Sequence, residues 1–187
     1  MSTFNWMNKN SVGNISNVKI EVESDFTEGN YLNSEIKGKF DCINIEISYM
    51  ESMPSVKNIF GSAKIINDKI IFNINSGNSK NLFLSSGEII LYDLQTDFEK
   101  ADISLDIKGN NDQIVNYLEL TRIEKKNYSK LQKINGDVTL NLKLKFPLLV
   151  DLEAEQIEYL SKASIMEGKL NNIYKNYSID NLNLDFE

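Results

Sequence analysis

Acidic side chains come closest to a catalytic set in this chain, because two carboxylates can act together as general acid and base. The carboxylates that stand in patterned segments are Glu21, Glu23, Glu46, Asp102 and Asp106, and each alternates with apolar neighbours. In a β-strand such alternation places polar residues on the face opposite the core. We therefore interpret these groups as solvated surface carboxylates and predict no catalytic residues and no enzymatic activity.

Histidine and cysteine chemistry is restricted by composition. The chain has no histidine and one cysteine, Cys42. Histidine-dependent triads and the commonest zinc sites are therefore excluded, and no internal disulfide can form. Cys42 stands between Phe40 and Ile43, so we interpret it as a small buried apolar residue and not as a reactive thiol.

Oxygen ligands for a metal occur at Asn67-Asp68 and in the run 110–112, but neither matches a complete calcium loop. We interpret them as turn and helix-capping residues. The segment SSGEI, with Gly87, precedes a strand pattern and lacks the helix N-terminus that binds phosphate. We predict no metal and no cofactor.

The charge balance argues against two classes of partner. With 27 acidic and 20 basic residues the net charge is −7, which argues against nucleic acid and against charge-driven docking on anionic lipid headgroups. There is no apolar run long enough for a transmembrane helix, and from the first residues, MSTFNWMNKN, we predict no signal peptide. The last residues, NLNLDFE, alternate like a strand. We expect residues 1–187 to form a single β-rich segment of a longer protein whose targeting signal lies elsewhere.

A period of two dominates the chain and predicts strands with one apolar and one polar face, in a mainly antiparallel sheet. In the run from Gly136 to Phe146, five alternate residues are apolar. They are Val138, Leu140, Leu142, Leu144 and Phe146. Similar alternation covers 18–22, 43–49 (with Ile43, Ile45, Ile47 and Tyr49 on one side) and 101–107.

Other segments are less regular. We predict a hairpin turn at Asn67-Asp68, a bulge or tight link at Gly87, a further bulge near Cys42 and a strand end at Pro147. Five glycines are predicted to open strands, either as a loose repeat of hairpins or simply as a feature of any meander. They are Gly38, Gly61, Gly87, Gly136 and Gly168.

Helix is expected at few places. Trp6 lies in a segment that we interpret as a helix end. A helix is predicted from Asn111 to Leu120, with Asn111 or Asp112 as N-cap, and a weaker one from Tyr128 to Lys133, so that a short helical insertion covers about 111–133.

The predicted fold is therefore all-β: a long-stranded curved sheet or β-groove of repeated hairpins, with one or two short helices. Its apolar face must be covered by helices, by a ligand or by a second sheet. A closed β-sandwich that covers itself remains the alternative.

Several blocks in order resemble one protein family. They are the opening FNWMNKNSVGNISNVKIEVES, the hairpin GKFDCINIEISYMESMPSVKNIFGSAKIINDKIIFNINSG, the insertion DIKGNNDQIVNYLEL and the block INGDVTLNLKLKFPLLVDLEAEQIEYLSKASIMEGKLNNI with Pro147-Leu148. Together they resemble the AsmA-like bacterial envelope proteins of the YhdP and TamB type. The resemblance implies a middle segment of the repeated β-groove in a periplasmic protein anchored in the inner membrane.

The function implied by this resemblance is bridge-like lipid transport, in which an apolar β-groove carries phospholipid acyl chains between inner and outer membranes. The candidate lining residues on alternating strand positions are Ile45, Ile47, Ile103, Leu105, Ile107, Leu140, Leu142 and Leu144. The alternatives are a structural or assembly scaffold for outer-membrane proteins, with envelope proteins as partners, and a closed β-sandwich that binds a polar ligand such as a glycan.

Overall fold

One nine-stranded antiparallel sheet forms most of the protein in the computed structural model, which describes residues 3–27, 30–49, 53–120, 134–149, 152, 154–174 and 177–186. Each strand pairs with its neighbours in sequence, so the sheet is a meander, and it is open and curved. The strands are β1 (Ser11–Thr27), β2 (Asn30–Ile47), β3 (Val56–Ile66), β4 (Lys69–Ser79), β5 (Leu82–Tyr92), β6 (Lys100–Asn110), β7 (Ile134–Pro147), β8 (Glu158–Tyr174) and β9 (Tyr177–Phe186). The predicted mainly antiparallel all-β fold is confirmed, and the described strands form one open sheet, not a closed sandwich.

The two faces of the sheet differ in chemistry, as the alternation predicts. The apolar face carries Ile59, Ile74 and Leu84, whereas the polar face carries Lys64 and Lys143. Register aligns like with like, since Leu105 pairs with Leu142 and the neighbouring Ser104 pairs with Lys143. A shift by one residue would exchange the faces, and this apolar burial therefore fixes the register.

Five of the irregularities in the described strands are bulges that share one pattern. At each, two residues of the apolar face stand three positions apart, and the residue before the second has a positive φ. The five are Ile15–Val18 with Asn17, Cys42–Ile45 with Asn44, Val56–Ile59 with Asn58, Ile165–Gly168 with Glu167 and Ile179–Leu182 with Asn181. A bulge adds one residue to one strand, which restores the phase of the apolar set. Asparagine tolerates the left-handed conformation better than most residues.

Within the described residues, two short α-helices accompany the sheet: α1 (Thr3–Asn10) and α2 (Asn111–Leu118). The cap of α2 is Asn110, not the predicted Asn111 or Asp112, because the Asn110 side chain accepts the Gln113 N–H while Gln113 bonds back to the Asn110 N–H. This capping box fixes the start of α2. A 3-10 turn at Ala154–Gln156 lies outside the predicted helical regions, and the predicted helix at 128–133 lies outside the described residues.

Helix α1 joins the two rims of the sheet. The first rim holds the strand ends at Ile47 and Asn110, and there Asn10 accepts a hydrogen bond of 2.8 Å from the Ser48 N–H. The second rim holds the start of β6, where Thr3 donates to the Glu99 carboxylate. The eight residues of α1 rise about 12 Å, whereas the eleven of β6 rise about 36 Å. The sheet must therefore curl and twist strongly between β2 and β6 for one short helix to reach both rims.

Several local predictions are confirmed. Asn67-Asp68 forms the β3–β4 turn, with Asn67 at φ 53°, and Pro147 ends β7. The predicted break of phase near Cys42 is the bulge at Asn44.

Other local predictions need correction. Gly87 lies in regular register inside β5, and the irregularity falls between Leu84 and Ser86. Ile43 was predicted on the same face as Ile45, but it lies on the polar face. It directly follows Cys42 of the apolar face, and the bulge at Asn44 returns only the residues after Asn44 to that face.

The glycines predicted to open strands lie within them, where they leave room for neighbours. A Cβ at Gly136 would lie 2.9 Å from the Ile165 Cγ2 and 3.0 Å from the Gly168 Cα. A Cβ at Gly61 would overlap the Asn73 carbonyl oxygen. Glycine at these points permits close approach of adjacent strands, a role different from opening a strand.

Candidate functional site

The apolar face is continuous across the sheet. Its residues lie in rows that cross the strands, because the meander pairs each strand with the next in register. One row is Phe40, Ala63, Phe72, Ile89, Ile103, Leu144 and Tyr159, and the next is Cys42, Gly61, Ile74, Gly87, Leu105, Leu142 and Ser161. Adjacent strands lie about 4.8 Å apart, so the rows form a continuous floor that is apolar as far as β7.

A buried cluster anchors the middle of this face. Ile59, Ile74 and Leu84 are buried and contact one another. Ile45 and Ile47 pack on the cluster from β2, while Leu105 and Ile107 pack on it from β6; with Val56 and Ile89 these are its partly buried neighbours. Residues from distant strands thus share one surface.

Helix α2 covers the apolar face at the first rim. Its Ile114 packs with Leu82, Val138 and Ile165 in the best-buried part of the molecule, and Val115 is also buried. The predicted apolar side of α2, with Ile114, Val115 and Leu118, therefore faces the sheet. Since Ile107 packs on both this cluster and the one around Ile59, the covered and uncovered parts form one surface.

A polar network holds the end of α2 in place. The hydroxyls of Tyr117 and Tyr49 lie 2.6 Å apart, and the Tyr117 hydroxyl lies 3.2 Å from the Ser79 Oγ. Ser79 in turn donates to the carbonyls of Pro54 and Ser55. Desolvation and the bond to Tyr117 raise the pKa of the Tyr49 phenol above its ordinary value. The network joins α2 to the β2–β3 connection and to the end of β4.

All eight predicted lining residues are half-buried. Three pairs are direct cross-strand partners: Ile103 with Leu144, Leu105 with Leu142 and Ile107 with Leu140. The other two, Ile45 and Ile47, lie four strands away from β6 and join the same surface through the Ile59 cluster.

Sequence reasoning missed the three residues of the central buried cluster. Ile59, Ile74 and Leu84 lie on the strands whose patterns were least regular. The Asn58 bulge displaces Ile59 by one position, and Ile71 pairs with Ile90 on the polar face, which blurs the alternation of β4 and β5. For Ile59, the sequence signal that could have indicated the bulge is the spacing of three between apolar residues around Asn58.

The cysteine and one of the patterned carboxylates are held by burial or by hydrogen bonds within the sheet. Cys42 is buried, and desolvation, aided by the Asp41 charge, raises the pKa of its thiol. Asp106 accepts hydrogen bonds from Ser86 at 2.6 Å and from Asn141 at 2.9 Å, which lower the pKa of its carboxyl. This bond leaves Asn141 half-buried on the polar face of β7.

The remaining carboxylates are placed as surface groups or ion-paired groups. Glu21 and Glu23 are exposed on β1. Glu46 accepts from Ser55 and pairs with Lys57 at 3.0 Å. In the described part of the chain, no three His, Cys, Asp or Glu side chains converge on a common point suited to a metal.

Comparison with known proteins gives no relative. No protein-family model matches the chain, and neither the curated proteins nor the solved structures include a significant match. Within the described ranges, no helix has the length and apolar character needed to span a membrane.

Proposed function

We propose that this chain binds the acyl chains of lipids along its apolar face. The observation that carries the proposal is that this face continues through β2 to β8 in register, while its residues outside the α2 contact stay mostly half-buried. The described strands provide no second sheet to cover it. An open apolar surface of this extent in a protein marks an interaction site.

Hydrocarbon is a suitable ligand on energetic grounds. Removal of one CH₂ group from water is worth about 0.8 kcal/mol, so a lipid chain gains most from a long continuous apolar floor. The headgroup can stay in solvent, which requires no buried polar partner. The sheet curves strongly, as the contacts of α1 with both rims require. This curvature would wrap the apolar floor around the acyl chain of a lipid.

The more specific proposal is bridge-like transport of phospholipid between inner and outer bacterial membranes, with this chain as a periplasmic segment of a longer, membrane-anchored protein. It is supported by the resemblance to AsmA-like envelope proteins and by a meander that can lengthen by adding strands beyond β9. The lining we propose is the set of eight half-buried residues on β2, β6 and β7, extended by Ile59, Ile74 and Leu84.

The test is photo-crosslinking of the purified chain to a phospholipid that carries a photoreactive acyl group. Leu142→Asp places a carboxylate in the middle of the floor, beside Leu105, and should abolish crosslinking because a charge beside hydrocarbon must be desolvated. Lys143→Asp is the matched control, since it puts the same carboxylate one position along β7 on the polar face.

Thermal unfolding of both variants shows whether a loss of crosslinking reflects lost lipid binding or a lost fold. A folded Leu142→Asp chain without crosslinking supports the proposal, and an unchanged Lys143→Asp chain shows that the added charge itself is harmless. A wild-type chain that never crosslinks overturns the proposal. Recovery of an outer-membrane protein without lipid, in a pulldown from envelope extract, would instead indicate the scaffold alternative.

A further inference from the structure

Strand β1 presents an open edge that is unusually apolar. It is first in the sheet order, and among the described strands only β2 pairs with it. Its apolar-face side chains are more than half exposed: Ile15 58%, Val18 53%, Ile20 61% and Val22 61%. Proline, which natural proteins use to protect such edges, is absent from its seventeen residues.

The charges on the polar face of β1 identify a partner. Lys19 and Glu21 flank Ile20 and form an ion pair at 2.5 Å. An antiparallel copy of the same strand, centred on Ile20, would place Lys19 opposite Glu21 of the second copy and Glu21 opposite its Lys19. The same register would place Val18 opposite Val22 on the apolar face. Opposite charges and β-branched residues in direct register are the pairs that stabilise antiparallel strands.

The neighbouring strand strengthens this arrangement. Within the sheet Lys19 pairs directly with Lys39, whereas Glu21 pairs with Lys37. Two lysines directly opposite each other are unfavourable, and a carboxylate on the free side of Lys19 would offset that repulsion. Glu21 of a second copy occupies that position in the register centred on Ile20.

Other pairings are less favourable. A register centred on Glu21 would place that residue opposite its own copy. The far edge of the sheet, β9, offers only acidic charges, Asp180 and Asp185, in its described side chains at 178–185, so it complements Glu21 and Glu23 poorly.

We propose that two copies of this chain associate through β1, antiparallel and centred on Ile20, so that the two sheets join into one with a continuous apolar face. The contact is isologous: each copy supplies the same strand, and one twofold axis relates them. This inference does not depend on the binding of acyl chains.

Charge exchange tests the interface. By sedimentation, the wild type should dimerise, and Lys19→Glu or Glu21→Lys should each weaken the dimer about tenfold, because each places two like-charged pairs across the contact. The double variant, Lys19→Glu with Glu21→Lys, should regain affinity within about threefold of the wild type, since the complementary pairs are restored. Thermal unfolding measured in parallel separates a weakened contact from a lost fold.

Crosslinking tests the register. In a Cys42→Ala background, Ile20→Cys should crosslink to itself with a short bifunctional thiol reagent. Phe83→Cys, at a 50% exposed position on β5, is the matched control and should not. A chain that stays monomeric, a dimer insensitive to both single charge reversals, or failure of Ile20→Cys to crosslink would each overturn the proposal.

Discussion

Thr3 and Glu99 are joined by two hydrogen bonds although 96 residues separate them. The Thr3 backbone N–H and hydroxyl both donate to one oxygen of the Glu99 carboxylate, at 2.8 and 2.7 Å. Thr3 is buried, and Glu99 stands immediately before β6. This contact is where α1 reaches the second rim of the sheet.

Loss of this contact should destabilise the fold. We expect Thr3→Val to lower the free energy of unfolding by about 1 kcal/mol, and Glu99→Ala by about 2 kcal/mol because it also strands the Thr3 N–H. The double variant should cost less than the sum, since both changes remove one interaction. Urea unfolding measures all three, with Asp97→Ala, an exposed carboxylate on the same connection, as the control. Additive losses would contradict the shared contact.

Helix α2 should contribute strongly to stability through Ile114, which is 4% exposed. We expect Ile114→Ala to lower the free energy of unfolding by about 3 kcal/mol, because it opens a cavity against Leu82, Val138 and Ile165. Asn116→Ala changes an exposed position on the same helix and should have an effect within about 0.5 kcal/mol. Equal effects in urea unfolding would show that α2 does not pack on the sheet as described.

The tyrosine pair predicts a dependence on pH. Desolvation, with the bond to Tyr117, raises the pKa of Tyr49, so the folded state favours the protonated phenol. The resulting stabilisation is complete below the unfolded pKa of about 10 and is lost as the pH rises above it towards the folded value. Urea unfolding from pH 8 to 11 should show a smaller decline for Tyr49→Phe than for the wild type. Tyr159→Phe, at a 68% exposed residue, should retain the wild-type decline.

Two glycines on the apolar face should differ in their tolerance of alanine. A Cβ at Gly61 meets the backbone carbonyl of Asn73, which cannot move without breaking the sheet, so we expect Gly61→Ala to cost about 3 kcal/mol. A Cβ at Gly87 would lie 2.7 Å from the Leu105 Cδ2, the far end of a flexible side chain, and 3.0 Å from the Ser104 carbonyl oxygen, a much longer approach to backbone than at Gly61. Gly87→Ala should therefore cost about 1 kcal/mol. Thermal or urea unfolding ranks the two, and the reverse order would contradict the packing described.

The regular strands could be predicted from sequence because burial and alternation agree in them. On β6 and β7 every second residue faces the floor, so the placement of Leu105 and Leu142 on one face follows from period two, whereas their direct pairing is given by the structure. The β3–β4 turn follows from Asn67-Asp68 for the same local reason, since asparagine accepts the left-handed conformation that the turn needs.

The bulged strands could not be predicted in this way. Period two assigns Ile43 and Ile45 to one face, but Asn44 takes a left-handed conformation and separates them. Whether an asparagine adopts that conformation depends on the strand beside it, because the extra residue must fit the partner's ladder. The spacing of three between apolar residues around Asn58 and Asn181 indicates afterwards where the phase changes.

The contacts of the two helices with the rims could not be predicted from the sequence either. Nothing local to Thr3 or Glu99 relates them, since their contact exists only once the sheet has curled. The same holds for Tyr49 and Tyr117, which approach because α2 crosses the first rim. Long-range contacts of this kind depend on the twist summed over several strands.

The position of Trp6 gives the unmodified protein a spectroscopic reporter. It is the only tryptophan of the chain, it is half-buried, and it lies in the middle of α1, where its carbonyl accepts from the Asn10 side chain. Intrinsic emission excited at the indole band therefore originates from the one helix that links both rims. The emission wavelength and the quenching of Trp6 fluorescence would report any change in how α1 packs on the sheet, without an added label.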